Sequence, residues 1–191
     1  QMAYAMLMTG KTDYVINTCN ELIKENPNDP LSPQAGALKV QAALQVYQTA
    51  KDKAEPLTKL KLVADEVIRQ WKSRPEADDA RIALGQAMLV TSDMDGALLH
   101  FDGVLKESER FPQAQYYSGT VFWRKYLVSK STKGADPKQV ADLRTKAMER
   151  VSNSVSGQEK QLKGTELQMP KLLLDARLLD RKSTRLNSSH R

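Results

Sequence analysis

The sequence predicts an all-α protein, and three observations support that prediction. Apolar residues recur at intervals of three and four from Met2 to Leu179, which is the spacing of one face of an α-helix. No segment between turn signals alternates apolar and polar residues as a half-buried strand does. Most connections between the predicted helices are short, and short connections make successive helices pack antiparallel. The chain is therefore expected to fold as a series of helical hairpins.

Nine helices follow from the apolar spacing and the polar segments between them. Their predicted ranges are 2–9, 12–25, 33–50, 56–72, 76–91, 94–108, 112–129, 137–154 and 168–179. Several starts carry capping chemistry, because a short oxygen-bearing side chain can accept the amide hydrogens of a first turn and proline has none to leave unpaired there. These start signals are Ser32 before Pro33, Ser73 before Pro75 and Glu76, Ser92 with Asp95 three residues later, and Asp136 before Pro137.

The predicted domain organisation is helical repeats over 1–155, a polar linker over 156–167 and the start of a further helix over 168–179. The linker contains glycine and few apolar residues, which is typical of a surface connection. Because the chain begins with Gln1 inside what reads as a helix, we expect it to be a fragment of a longer protein.

The last twelve residues, 180–191, are expected not to belong to the protein. The stretch from Asp180 to His190 resembles, residue for residue, the translation of a widely used sequencing adapter, and the composition changes abruptly after Leu179. Such a tail is expected to be disordered. Without it the chain holds 25 basic and 22 acidic residues, so the net charge falls from +6 to +3. A mild charge spread along the chain creates no strong field on one face, so no nucleic-acid partner is expected.

The sequence contains no arrangement of residues that indicates catalysis, a metal or a cofactor. Cys19 and His100 are 81 residues apart, and Asp93 with Asp95 lacks the further oxygen ligands of a calcium loop. Cys19 lies on an apolar helix face and is expected to be a buried, unreactive thiol. No apolar run approaches the length of a membrane-spanning helix. We therefore expect a non-enzymatic protein with no cofactor and no membrane insertion.

The segment Ala5–Thr12 has the spacing of a phosphate-binding loop, namely a small residue, four others and then Gly-Lys-Thr. Such a loop follows a β-strand, whereas the residues from Met6 to Met8 continue a helical pattern. We therefore expect no nucleotide site here. Gly10 is predicted to end the first helix in the left-handed conformation, and Thr12 to start the second.

An apolar stripe recurs after 33 residues, where Ala64, Ile68 and Trp71 are matched by Ala97, Phe101 and Val104. With Leu84-Gly85 before Ala97 and Phe101, and Pro112 after them, the sequence resembles the tetratricopeptide repeat family. The resemblance covers residues 2–155 as four units, of which 76–108 matches best. The family's tryptophan is replaced by Arg81 or Ile82, its tyrosine by Met88 and its last alanine by Val104.

This resemblance implies a right-handed superhelical stack of antiparallel hairpins whose concave face binds a peptide or a partner protein. Matching the family's groove positions residue by residue places Gln86, Tyr116, Tyr117, Thr120, Trp123 and Arg124 on that face. Tyrosine, tryptophan and arginine anchor many protein interfaces. The lysine and asparagine pattern by which some relatives clamp a peptide's terminal carboxylate is not present.

Alternatives remain open for these side chains and for the chain as a whole. Tyr116, Phe122 and Trp123 are also compatible with packing in the core and between helices, and Arg124 with a solvated position that binds nothing. The helical pattern also fits a generic bundle. The chain is also compatible with a structural spacer or self-assembling scaffold, or with the docking arm of an enzyme or regulator that lies outside the fragment.

Overall fold

The structure, a computed structural model, describes residues 2–161. Within this range the chain forms eight α-helices and no β-strand, which confirms the predicted all-α class. The helices are α1 (Met2–Met8), α2 (Thr12–Glu25), α3 (Ser32–Thr49), α4 (Ala54–Gln70), α5 (Pro75–Val90), α6 (Met94–Asp102), α7 (Phe111–Ser131) and α8 (Pro137–Gln161). The predicted helix at 168–179 and the tail at 180–191 lie outside the described residues.

The sixth helix is shorter than predicted. α6 ends at Asp102 rather than near residue 108. The amides of Gly103 and Val104 donate to carbonyls three residues earlier, each over 3.2 Å, which closes the last turn tightly and stops the helix. Val104 is nevertheless buried, so its apolar character does not indicate a longer helix.

The eighth helix is longer than predicted, because its buried face continues in polar residues. α8 reaches Gln161 and includes the first residues of the predicted linker at 156–167. Ser154 and Gln158 are buried on it, and the Gln158 amide nitrogen donates to the Ser154 hydroxyl over 2.7 Å. A prediction from apolar spacing misses this part of the helix, because its buried residues are polar and hydrogen-bond to each other.

The chain forms two compact units, and the boundary between them lies between Asp93 and Met94. In the first unit α3 contacts α1, α2, α4 and α5, and α4 contacts α5. The main core of this unit includes Val40, Tyr47, Leu60, Val67 and Leu84. The Tyr47 hydroxyl donates to the Ala87 carbonyl oxygen over 3.3 Å, so this large buried side chain has its polar group satisfied.

The repeated stripe forms a buried helix face on α4 and on α6. Ala64 of α4 and Ala97 and Phe101 of α6 are fully buried. Trp71, just beyond α4, is half-buried and its ring lies over Gly36 of α3. A Cβ atom built on Gly36 would lie 2.5 Å from the Trp71 ring, so the ring and the α3 backbone can meet here because glycine has no side chain.

Two left-handed residues end helices in the first unit. Gly10 has a φ of +76° and ends α1, as predicted. The amides of Gly10 and Lys11 donate to the carbonyls of Leu7 and Met6, which is the hydrogen-bond pattern of a helix C-terminus. Residues 5–8 are therefore helical, and the segment lacks the strand and loop of a phosphate-binding site.

The prediction that Ser92 caps the start of α6 is wrong. Ser92 has a φ of +61° and ends α5 in the left-handed conformation. Its amide donates to the Leu89 carbonyl over 3.2 Å, and the Asp93 amide donates to the Met88 carbonyl over 2.9 Å. Serine is a residue type that is typical of a helix start. Here it occupies the left-handed position at a helix end, where glycine is most common.

Of the other three predicted start signals, one forms a side-chain cap and two do not. Asp136 caps α8, because the Lys138 amide donates to its carboxylate over 2.9 Å. The predictions that Ser32 and Ser73 cap α3 and α5 are wrong, since neither helix start has a side-chain capping hydrogen bond. Ser32 is instead buried, and its hydroxyl donates to the Asn26 carbonyl over 2.6 Å.

In the second unit α7 contacts both α6 and α8. α7 and α8 run in opposite directions, since Pro112 near the start of α7 lies against Gly157 near the end of α8. Farther along, Gly119 lies against Val151, and a Cβ built on Gly119 would be 2.6 Å from the Val151 side chain. These glycines let the two helices touch at backbone distance.

Candidate binding face on α7

Five of the six predicted binding residues lie on one face of α7. They are Tyr116, Tyr117, Thr120, Trp123 and Arg124, and with 3.6 residues per turn they fall within roughly 120° of arc. The sixth, Gln86, lies half-buried in α5 of the first unit. We call the five residues, together with Leu127, the α7 face.

α6 and α8 pack on α7 at the two sides of the α7 face. α8 meets α7 at Gly119, which is about 100° around the helix from Thr120. On the opposite side Lys125 of α7 forms an ion pair with Asp95 of α6. Thr120 therefore lies near the middle of the arc between these two contacts.

At the α6 edge of the α7 face, Tyr117 packs between helices. Its ring stacks on that of Phe101 of α6, with centroids 5.3 Å apart and planes inclined by 20°. The ring of Tyr116 meets it edge-on at 5.5 Å. Because Phe101 is fully buried, Tyr117 contributes to holding α6 against α7. The sequence had left a packing role open for Tyr116, Phe122 and Trp123 and had placed Tyr117 on the binding face.

At the α8 edge, Trp123 is half-buried and its ring centroid lies 5.2 Å from that of the buried Tyr126. Phe122 is also half-buried, and the Lys146 ammonium of α8 lies 5.9 Å from its ring centroid. Both aromatic side chains combine partial exposure with packing, Trp123 on a neighbour within α7 and Phe122 beside a cation of α8.

The most accessible part of the α7 face follows Thr120. The Thr120 hydroxyl donates to the Tyr117 carbonyl over 2.7 Å, so this donor is already used within the helix. Arg124 is exposed, and Leu127 is 48% exposed. Sequence reasoning missed Leu127, although its position seven residues after Thr120 places it on the same stripe.

Outside the α7 face, a buried thiol and a buried ion pair are the groups whose chemistry could have indicated a reactive site. Cys19 is buried, as predicted, and burial raises the pKa of its thiol while the Lys39 ammonium opposes part of that increase. Asp78 and Arg81 are both buried in α5, where their carboxylate and guanidinium lie 2.6 Å apart. A charged pair buried in this way is compensated locally.

No group of three or more His, Cys, Asp or Glu side chains in residues 2–161 is placed to hold a metal ion, and no helix there is long and apolar enough to cross a membrane. No protein-family model and no curated protein matches the chain.

Proposed function

We propose that the chain is a non-enzymatic helical-repeat module that binds a peptide or a partner protein on the α7 face. The observation that carries the proposal is the combination on one helix face of an exposed guanidinium, an exposed aliphatic side chain and half-buried aromatic rings. Residues of these types supply large contact areas and a planar charged group, which are common anchors of protein interfaces.

The proposal includes a tetratricopeptide-like architecture in which helical hairpins stack side by side. A hairpin cannot cover its own apolar stripe, so stacking would bury the stripes and curve the array into a superhelix. The recurrence of the buried stripe on α4 and α6 supports this, as does the tight antiparallel packing of α7 on α8. On this architecture the α7 face belongs to the concave surface.

The packing of the α7 face divides its residues into two roles. Tyr117 and Trp123 contact Phe101 and Tyr126, so they shape the surface from its edges. Arg124 and Leu127 extend from the same stripe into solvent and would contact the partner directly. Arg124 would bind carboxylates or carbonyls, and Leu127 would pack on an apolar side chain.

The test is capture of a partner from lysate by the wild-type chain and by a double variant, Arg124→Glu with Leu127→Asp. Both side chains are exposed, so the double variant should keep the helical circular dichroism of the wild type while losing the captured protein. A matched control, Asn153→Asp with Lys160→Glu, changes two exposed residues of α8. Equal capture by the wild type and the α7-face variant would exclude this face as the binding site.

A second candidate function is a self-assembling scaffold, which exposed aliphatic side chains favour. Leu62 of α4 is 69% exposed and Leu99 of α6 is 73% exposed. Exposed apolar side chains of this size are buried favourably when copies associate. Light scattering over a range of concentrations distinguishes the two functions, since a scaffold forms larger species as concentration rises and Leu62→Asp with Leu99→Asp would prevent it.

A further inference from the structure

A groove with a volume of about 730 Å³ lies at the turn between α7 and α8. Residues of the last turns of α7, of the 132–136 turn and of the first turns of α8 line it. Its apolar surface includes Tyr126, Val140 and Met148. The volume lies within the range of about 300–1,000 Å³ that is usual for ligand sites.

The groove opens on a different side of α7 from the α7 face and adjoins it where the Trp123 ring meets the Tyr126 ring. Tyr126 of α7 lines the groove and is six positions after Thr120, which places it roughly 120° around the helix from Thr120. It therefore lies on the side of α7 that meets α8. A ligand in the groove would not contact Arg124 through this side, so the two surfaces can be tested with different variants.

Basic residues predominate around the groove. Residues 124–146 contain seven Lys or Arg and two Asp or Glu, whereas the whole chain has 29 against 23. Lys130 and Arg144 line the groove directly, together with one acid, Glu149. Two of the other cations, Lys125 and Lys146, form ion pairs with Asp95 and Asp142. Counting Asp95 together with this segment still leaves its formal charge positive, so the region would attract an anionic ligand.

The shape and lining of the groove favour a peptide over the other anionic surfaces that a basic region attracts. A lipid bilayer is locally flat and would not fill a concave space. Nucleic-acid affinity comes mainly from phosphate contacts, and these make no use of the apolar surface formed by Tyr126, Val140 and Met148. An acidic peptide that also contains an aliphatic or aromatic residue is complementary to both the positive charge and the apolar lining of the groove.

We propose that this groove is a second binding site, which takes an acidic segment of a partner protein. An apolar side chain of that segment packs against Val140 and Met148, and flanking carboxylates lie beside Lys130 and Arg144. Glu149 disfavours a second carboxylate at its own end of the groove and so sets the direction of the peptide.

The experiment uses a phage-displayed library of random dodecapeptides, selected against the full chain at low salt. The enriched peptides should combine Asp or Glu with Leu, Met or Phe, and their affinity should fall as salt increases. In fluorescence anisotropy, Lys130→Glu with Arg144→Glu should weaken binding by about tenfold or more, because two attractions become repulsions. Circular dichroism checks that the variant is folded, and Lys130→Glu alone, at an exposed residue, should give a smaller loss in the same direction.

Lys160→Glu is the matched control, because it reverses the charge of an exposed residue near the other end of α8 and should leave the affinity unchanged. The proposal is overturned if the enriched peptides show no acidic bias, or if the groove variants bind them as the wild type does. Binding of phosphatidylserine vesicles without selection of acidic peptides would likewise contradict it.

Discussion

Individual residues determine where helices end and which groups react. Ser92 ends α5 with a φ of +61°, a conformation that costs an ordinary L-residue roughly 1–2 kcal/mol and glycine almost nothing. The hydrogen bonds from Ser92 and Asp93 to the last turn of α5 hold the backbone there. The chain therefore keeps a small conformational strain that a single substitution can remove.

We expect Ser92→Gly to raise the free energy of unfolding by about 0.5 kcal/mol. The strain removed exceeds the roughly 0.5–1 kcal/mol that glycine adds through the entropy of the unfolded chain. Urea denaturation followed by circular dichroism measures the change. Gln41→Gly, at an exposed site inside α3, is the control and should lower stability by about 1 kcal/mol. A loss of stability in Ser92→Gly would contradict the account of this helix end.

Cys19 should react slowly with iodoacetamide in the folded chain and rapidly in urea. Burial excludes the reagent and raises the thiol pKa, so little thiolate is present at neutral pH. The folded state prefers the neutral thiol. This contribution to stability is complete below the ordinary thiol pKa and is lost as pH rises through the raised value. Mass spectrometry of labelled chain measures the rate, and rapid labelling of native protein at neutral pH would contradict the burial of Cys19.

Pairs of helices are held by contacts that depend on a few residues at each interface. Between α3 and α4 the Lys39 ammonium lies 2.8 Å from a Glu66 carboxylate oxygen. The Lys39 side chain is 2% exposed, whereas that of Glu66 is 44% exposed. The two partners are therefore not equivalent, because loss of the carboxylate would leave a cation buried and loss of the cation would leave a carboxylate in water.

We expect Glu66→Gln to destabilise the chain by about 1 kcal/mol, since solvent screens part of the lost attraction. Lys39→Met should cost less, because it keeps most of the volume and removes the buried charge. In the Lys39→Met background, Glu66→Gln should have almost no effect. Denaturation of the four chains forms a double-mutant cycle, and additive effects would show that the pair is not coupled.

Gly119→Ala should destabilise the second unit by about 1–3 kcal/mol. Its added methyl group would meet the Val151 side chain at 2.6 Å and the Ala147 carbonyl oxygen at 3.3 Å. Val151→Ala removes the nearest of these atoms, so the double variant should be more stable than the sum of the two single effects predicts. Thermal unfolding of the three variants measures this coupling, and a neutral Gly119→Ala would contradict the close helix approach.

At this scale the sequence predicted the class and positions of the elements better than their ends. Apolar spacing identified all eight helices of residues 2–161, because one face of each is buried. It missed the polar continuation of α8 through Ser154 and Gln158, whose burial depends on a local hydrogen bond. It misjudged Ser92, because a residue type that suits a helix start can also be held by backbone hydrogen bonds at a helix end.

For the candidate site too, the sequence predicted some features and missed others. Helical spacing placed Tyr116, Tyr117, Thr120, Trp123 and Arg124 on one face, since that depends only on their separation along the chain. It could not show that Tyr117 is engaged in packing, because Phe101 of α6 reaches it only through the fold. The groove at the α7–α8 turn has no sequence signal, since its lining residues come from two helices and a turn.

At the scale of the whole molecule, we propose a helical-repeat module whose α7 face binds a partner protein. The residues that contact the partner are expected to be Arg124 and Leu127, supported by aromatic side chains at the edges. Thr120 lies near the centre of this face and is half-buried, so a probe at position 120 would report directly on what occupies it.

The most direct measurement is site-specific photo-crosslinking with p-benzoylphenylalanine at Thr120, compared with the same group at the exposed Asn153 of α8. We predict that a protein partner cross-links from position 120 and not from position 153. The yield at position 120 should fall when Arg124→Glu and Leu127→Asp are added. Equal cross-linking from the two positions, or a yield that these substitutions leave unchanged, would contradict the assignment of the α7 face as the binding surface.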